Sequence, residues 1–210
     1  SLSLNSIKKA VKADTKAVMI VHVAGVVSNE IQKIREYCDK KGLFLIEDAA
    51  CAIGSEYKGK KIGSHSDLVC FSFHPRKIIT TGDGGMITTS REDYAERLKI
   101  LRKHAMSISD LDRHNSKNIL FEDHLEIGYN YRMTDIQAAV GIEQLKKLDV
   151  IVEKRREIAN KYIDSFREIK FLKVPTEKDG YKSNFQSFCI LLKENCPISR
   201  NQLMQKLLEK

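Results

Sequence analysis

Tryptophan is absent from this sequence of 210 residues. No apolar run approaches the about 18 consecutive residues that a membrane-spanning helix requires, so no membrane partner is expected. A cysteine framework is lacking too. Cys38, Cys51, Cys70, Cys189 and Cys196 are odd in number, widely spaced and without a C-x-x-C pair, which argues against a disulfide scaffold or a zinc site and fits a reducing compartment. The histidines form no H-x-x-x-H or H-E-x-x-H arrangement, so no metal is expected. The first residues show no basic-then-apolar signal pattern, which makes the cytoplasm the expected location. Two common phosphate-binding signatures, G-x-x-x-x-G-K-[ST] and G-x-G-x-x-G after a strand, are missing as well. No repeat or low-complexity tract occurs.

Charge of both signs is abundant. The 36 lysines and arginines exceed the 28 acidic residues and leave a net charge of +8. Such an excess suits an anionic partner when the basic groups cluster. Here they alternate with acids, as in REDYAERLKILRK and EKRREIANKYIDSFREIK, the pattern of solvated helix faces, so nucleic acid is not an expected partner. At 42% hydrophobic, the chain can bury a core of one domain or one and a fraction.

Residues 18–23 read as a buried strand. Asn29, with Gln32 three positions on, caps a helix carrying Ile31, Ile34 and Cys38 on one face and ending at Gly42, and residues 43–47 form the next strand. Strand, helix, strand at this spacing is a βαβ unit, and the class is α/β with a parallel sheet. Further strands fall at 68–73 and 86–89, and a helix follows Ser90 to about His104. Residues 105–130 lack periodicity, and a stretch of that length is more often functional than idle; Arg113 and His114 within it are candidates for substrate contact. Thr134 and Gln137 form a capping box for a helix to about Leu148. A second helix, 150–166, points Ile151, Ile158 and Tyr162 inward. After Pro175 come a polar loop and a strand over 185–192, then a helix at the end.

In open α/β sheets, ligands sit beyond the carboxyl ends of the strands. Glu47-Asp48-Ala49-Ala50 follows one strand; alone, such a pair can cap a turn or bind a cation. The run Ser72-Phe73-His74-Pro75-Arg76-Lys77, continued by IITTGDGG, places a lysine before a glycine-rich turn, where Gly82, Gly84 and Gly85 suit close backbone approach. A lysine on a loop is ordinarily solvated. Gly128-Tyr129-Asn130-Tyr131-Arg132-Met133-Thr134-Asp135 leads into the capped helix and, alone, reads as aromatic packing before a helix.

The order HVAG (22–25), EDAA (47–50), SFHPRKIITTGDGG (72–85) and GYNYRMTDIQAA (128–139) resembles the DegT/DnrJ/EryC1/StrS family of sugar-nucleotide aminotransferases, over about residues 18–162. The resemblance implies the type I fold of pyridoxal-phosphate-dependent transferases, the fold of aspartate aminotransferase. Residues 1–148 are then the remainder of the large cofactor-binding domain, and 149–210 a linking helix with the start of a small α/β domain. It implies transfer of an amino group, by analogy from glutamate, to a nucleotide-linked keto-sugar, with pyridoxal 5'-phosphate as cofactor. Lys77 is the implied catalytic lysine, holding the cofactor as a Schiff base and moving protons at the substrate carbon. Asp48 is the implied carboxylate beside the pyridine nitrogen, and Ser72 the hydroxyl on the cofactor phosphate. Asn130 is the amide given to the neighbouring subunit's phosphate, which implies a homodimer with shared sites.

Cys51 stands where the family often has Gln or His against the cofactor's ring hydroxyl, and Asp83 replaces a frequent Glu in the glycine turn. Relatives carry an upstream segment with a phosphate-binding small-residue loop and a ring-stacking residue, and neither precedes Ser1, so the catalytic reading applies to a parent protein. A dehydratase of the same family is the alternative, but that branch has histidine in place of Lys77. A non-catalytic basic regulatory protein would need a clustered basic face with stacking aromatics, which the dispersed charge and missing tryptophan do not supply.

Overall fold

The computed structural model describes residues 2–64, 66–108, 113 and 115–210. After helix α1 (Leu4–Ala10), strand β1 (Ala17–Val21), helix α2 (Ile31–Lys41) and strand β2 (Phe44–Asp48) form the expected βαβ unit. Val18 and Ile20 of β1 and Leu45 of β2 are buried beside Ile31, Ile34 and Cys38 of α2, so the period of two in the strands meets the helical stripe. The helix ends at Gly42 as expected, but Glu30, not Asn29, occupies its N-cap, and no side chain caps it there. The Glu30 carboxylate instead accepts the Leu4 N–H at 2.8 Å and ties α1 to α2.

A short hairpin, β3 (Glu56–Tyr57) and β4 (Lys60–Lys61), precedes β5 (Leu68–Ser72) and β6 (Gly85–Thr88). The main sheet has the order β1-β2-β5-β6. Its first three strands are parallel, as expected, whereas β6 runs antiparallel to β5. Because β6 follows β5 through a loop without a crossover helix, only an antiparallel return is available to it.

Asp67, just before β5, joins the layers. Its carboxylate accepts the Leu45 N–H at 2.9 Å and the Arg35 guanidinium at 2.8 Å. Burial pushes this carboxyl up, but the Leu45 N–H and the Arg35 charge outweigh burial and hold it below the ordinary value. A depressed carboxyl stabilises the fold above its unfolded value of about 3.9 and loses that contribution as pH falls through the folded value. Asp67→Asn is therefore expected to cost about 1–2 kcal/mol near neutrality, with the gap from wild type narrowing below about pH 4. Urea denaturation at several pH values measures this; a gap independent of pH would remove the charge from the account.

Helix α3 (Glu92–Leu101) is shorter than the sequence suggests. Residues 129–131 dock on its end, where the Tyr129 and Tyr131 N–H groups reach the Leu101 and Arg102 carbonyls at 2.8 and 2.9 Å. In the stretch that lacks periodicity, Met106 bridges His124 and Arg113 pairs with Glu122; His114 lies outside the described residues. Helix α4 (Asp135–Lys146) has both halves of the Thr134–Gln137 capping box. Helix α5 (Leu148–Phe166) buries Leu148, Val152 and Ala159. Ile151 packs against the same cluster as expected, but the rest of the inward stripe is shifted from the expected one. Ile158 and Tyr162 are exposed, and the Tyr162 ring stacks on Phe166 at 5.7 Å and lies tilted against Phe188 at 5.3 Å between centroids.

Beyond β7 (Leu172–Lys173), the chain turns back. Strand β8 (Tyr181–Lys182) adds to the β3–β4 hairpin, and β9 (Leu191–Leu192) pairs with β7 before helix α6 (Arg200–Leu208). The strand expected over 185–192 is confined to its last two residues. Phe185 takes a positive φ of 45°, and that residue and its neighbours bond to side chains instead of a ladder.

Candidate functional site

At the carboxyl end of β2, Asp48 pairs with Cys70 of β5 in the parallel register. Ser72 is two residues beyond Cys70 and faces the same side. The tips are cross-linked: the His22 N–H donates to the Asp48 carbonyl at 3.0 Å and the Ala49 N–H to the Cys70 carbonyl at 2.9 Å. Asp48 Oδ1 accepts the Ala50 N–H at 3.0 Å, so the carboxylate is turned back over the strand end. The Cys70 thiol is pushed up by burial and, secondarily, by the Asp48 charge, which marks how near that carboxylate lies to β5.

After Ser72 the chain makes a closed loop. The Phe73 N–H reaches the Gly84 carbonyl at 2.8 Å, and the Thr81 N–H reaches the Phe73 carbonyl at 3.1 Å. Phe73, Ile78 and Ile79 are buried with Leu148 and Val152. Apolar anchors on both sides thus hold the tip bearing Lys77, whose amine donates to Cys51 Sγ at 3.1 Å. Cys51 itself lies three residues past Asp48. Ser72 Oγ accepts the His74 N–H at 3.3 Å.

The glycine turn closes the loop. Gly84 has φ of +146°, and a Cβ there would lie 2.7 Å from Thr81 Oγ1, so a side chain is excluded on both counts. Asp83 Oδ1 accepts the Gly84 N–H at 2.9 Å, while the Asp83 carbonyl accepts the Gln137 amide at 3.1 Å. The capping box of α4 is thereby tied to the loop of Lys77.

Asp48, Cys51, Ser72 and Lys77 therefore gather at adjacent strand ends, each of them partly buried. Asn130 does not join them by any bond within the chain: it is exposed and bridges Lys103 at the end of α3. Among the described residues no cluster of histidines, cysteines and carboxylates could hold a metal, and no helix is long and apolar enough to cross a membrane.

Sequence reasoning missed two supports of this site. His22 and Glu47 are completely buried. The Ser28 N–H donates to His22 Nδ1 at 3.1 Å, so the hydrogen sits on Nε2, 2.6 Å from Glu47 Oε2, and Ser66 bonds the other oxygen. Glu47 thus turns into the core beneath the strand tip while Asp48 turns to the other face, as a period of two requires. The second support, Asn184 and Gln186, lies more than 100 positions after Lys77, where the polar loop meets the stretch expected to be a strand.

A lysine on a loop that follows a strand, with a carboxylate and a hydroxyl at the carboxyl ends of adjacent parallel strands, defines an α/β domain with polar groups gathered where such sheets take ligands. The chain belongs to the DegT/DnrJ/EryC1/StrS aminotransferase family, whose model matches residues 1–210. It is 41% identical over 210 residues to an uncharacterized protein of Methanocaldococcus jannaschii, an alignment covering 99% of this chain and 54% of that protein. It is 38% identical over 195 residues to the UDP-4-amino-4,6-dideoxy-N-acetyl-beta-L-altrosamine transaminase of Campylobacter jejuni, covering 93% of this chain and 50% of that one. Among solved structures, the aminotransferase from Psychrobacter cryohalolentis gives a TM-score of 0.90 at 28% identity over 98% of this chain and 55% of that chain. PseC of Helicobacter pylori, an aminotransferase involved in the biosynthesis of pseudoaminic acid, gives 0.86 at 30% identity, over 97% of this chain and 53% of that chain. The chain spans about half the length of the curated relatives it matches. The fold is the type I fold of pyridoxal-phosphate-dependent transferases, and the family depends on that cofactor.

Proposed function

We propose that this chain is the lysine-bearing part of a sugar aminotransferase that works in the cytoplasm, using pyridoxal 5'-phosphate to move an amino group from glutamate to a nucleotide-linked keto-sugar. In this reading residues 1–148 belong to the large domain, and 149–210 are the linking helix and the start of the small one. The observation that carries the reading is the approach of Lys77 Nζ to Cys51 Sγ, at 3.1 Å, beside the strand tips of Asp48 and Ser72.

The side chains suit the cofactor. Among the described residues no carboxylate lies within ion-pair distance of Lys77 Nζ, so the amine is not committed to a salt bridge and is open to an aldehyde. Asp48 uses Oδ1 on the Ala50 N–H and keeps Oδ2 for a protonated ring nitrogen, whose charge an adjacent carboxylate favours. Ser72 accepts a hydrogen bond from His74 and retains its own O–H to donate to a phosphate oxygen. Cys51 takes the position beside the ring hydroxyl. When bound, the cofactor supplies an electron-withdrawing ring that accepts the electron pair released at the substrate carbon. Lys77 Nζ then carries the proton to and from that carbon.

A homodimer agrees with the surface around Asn130. Ile119, Phe121, Ile127, Tyr131 and Ile136 are 86%, 89%, 83%, 73% and 80% exposed, and apolar groups gathered in this way mark contact surfaces. In such a dimer Asn130 reaches the phosphate bound by the other subunit.

The test is chemical. The intact polypeptide, saturated with pyridoxal phosphate, is expected to show a visible band that borohydride bleaches, leaving the cofactor's mass on the peptide that contains Lys77. A label on another lysine would overturn the assignment.

A further inference from the structure

Residues 183–186 reach the site from the far end of the chain. Asn184 is completely buried. Its Nδ2 donates to the Cys51 carbonyl at 3.0 Å and the Ile53 carbonyl at 2.8 Å, and its Oδ1 accepts the Gln186 N–H at 2.8 Å. Gln186 Nε2 donates to the Arg76 carbonyl at 2.8 Å, and that carbonyl belongs to the peptide joining Arg76 to Lys77. Asn184 thus holds the backbone of residue 51 and Gln186 the backbone that leads into residue 77. These are the two residues whose side chains meet at 3.1 Å.

The clamp is itself anchored. Arg155 donates to the Phe185 and Gln186 carbonyls at 3.2 and 3.0 Å, and Arg156 to the Ser183 carbonyl at 2.7 Å. The Asn184 N–H reaches Ser55 Oγ at 3.0 Å, and Ser183 Oγ reaches the Gly25 carbonyl at 3.1 Å. A Cβ at Gly25 would stand 1.9 Å from Asn184 Oδ1, so the backbone of residues 23–25 fits against the amide only because glycine is there. The positive φ of Phe185 is strained for a bulky residue and persists only where the surroundings dictate it. That strained residue separates the two amides and lets them diverge, one to each loop.

We infer that Asn184 and Gln186 are positioning residues that set the Cys51 turn and the Lys77 loop in register, and so aim the Lys77 amine. The inference rests on the proposed role of Lys77. Gln186 Oε1 is buried without a partner among the described residues, so the bond to Arg76 is the side chain's one polar contact and Gln186→Leu removes it alone. Asn184→Asp keeps the shape but sets a carboxylate against two carbonyls.

The experiment measures, in the intact polypeptide freed of cofactor, the rate at which added pyridoxal phosphate is captured at Lys77, trapped by borohydride and located by peptide mass. The pH midpoint of the visible band and the thermal melt are recorded beside it. Gln186→Leu is expected to melt with wild type yet to capture about ten- to a hundredfold more slowly, with the band midpoint moved by about half a pH unit or more. If Gln186→Leu does not fold, Gln186→Ser decides by the same two readouts. Capture at the wild-type rate with an unmoved midpoint, in a folded Gln186 variant and in Asn184→Asp, would reduce the clamp to a structural brace and overturn the inference. Wild-type label on a different lysine is a separate result: it removes the role of Lys77 and the inference with it.

Discussion

Lys77→Ala in the intact enzyme is expected to abolish the borohydride-fixed label and to lower turnover by at least about a thousandfold. Two losses combine in this variant. On the proposed role of Lys77, the cofactor would lose its covalent anchor and the substrate carbon the amine that moves its proton. Among the described residues the group in hydrogen-bond contact with Nζ is Cys51, so no second amine stands there to replace it. Single-turnover measurement with added cofactor separates the two effects. A variant that still bears the full label places the tether on another lysine.

Asp48→Asn is expected to behave differently: cofactor retained, turnover lower by on the order of a hundredfold. The substitution preserves size and leaves an oxygen for the Ala50 N–H, so the strand tip keeps its turn. It removes the negative charge that favours the protonated ring, and that charge matters most when the electron pair is delocalised. The loss should therefore fall on kcat and leave KM little changed. Titration of the apo protein with pyridoxal phosphate and steady-state kinetics measure the two parts. Turnover equal to wild type would strip Asp48 of its assigned role, whatever the fate of Lys77.

Much of the scaffold was legible in the amino-acid order, for reasons visible at particular residues. Val18 and Ile20 alternate, Ile31, Ile34 and Cys38 share a helical stripe, and Gly42 ends the helix, so the βαβ unit follows from local periodicity. The Thr134–Gln137 capping box is equally local, since both of its bonds lie within one helical turn. The readings that failed needed knowledge of a neighbour. Asn29 has the chemistry of a cap, yet Glu30 holds the position because its carboxylate also secures Leu4. The stripe of α5 shifted to Val152 and Ala159 because the surface it meets, around Gly54 and the Lys77 loop, was not visible from its own sequence. Residues 185–192 contain enough apolar side chains for a strand, but Arg155 takes the carbonyls that a ladder would have used.

The sequence alone determined the class of fold, the order of its motifs and the types of group present at the strand tips, because strand and helix periods and the chain's short turns are properties of neighbouring residues. Only the tertiary structure decided that Lys77 meets Cys51, that β6 returns antiparallel, that His22 and Glu47 pair beneath Asp48, and that an asparagine and a glutamine from the far end hold the two loops of the site. Those contacts join residues 13 to 133 positions apart. Which distant groups meet is set by how the layers pack and by the need of each buried polar atom for a partner, and neither is written in any one stretch of chain.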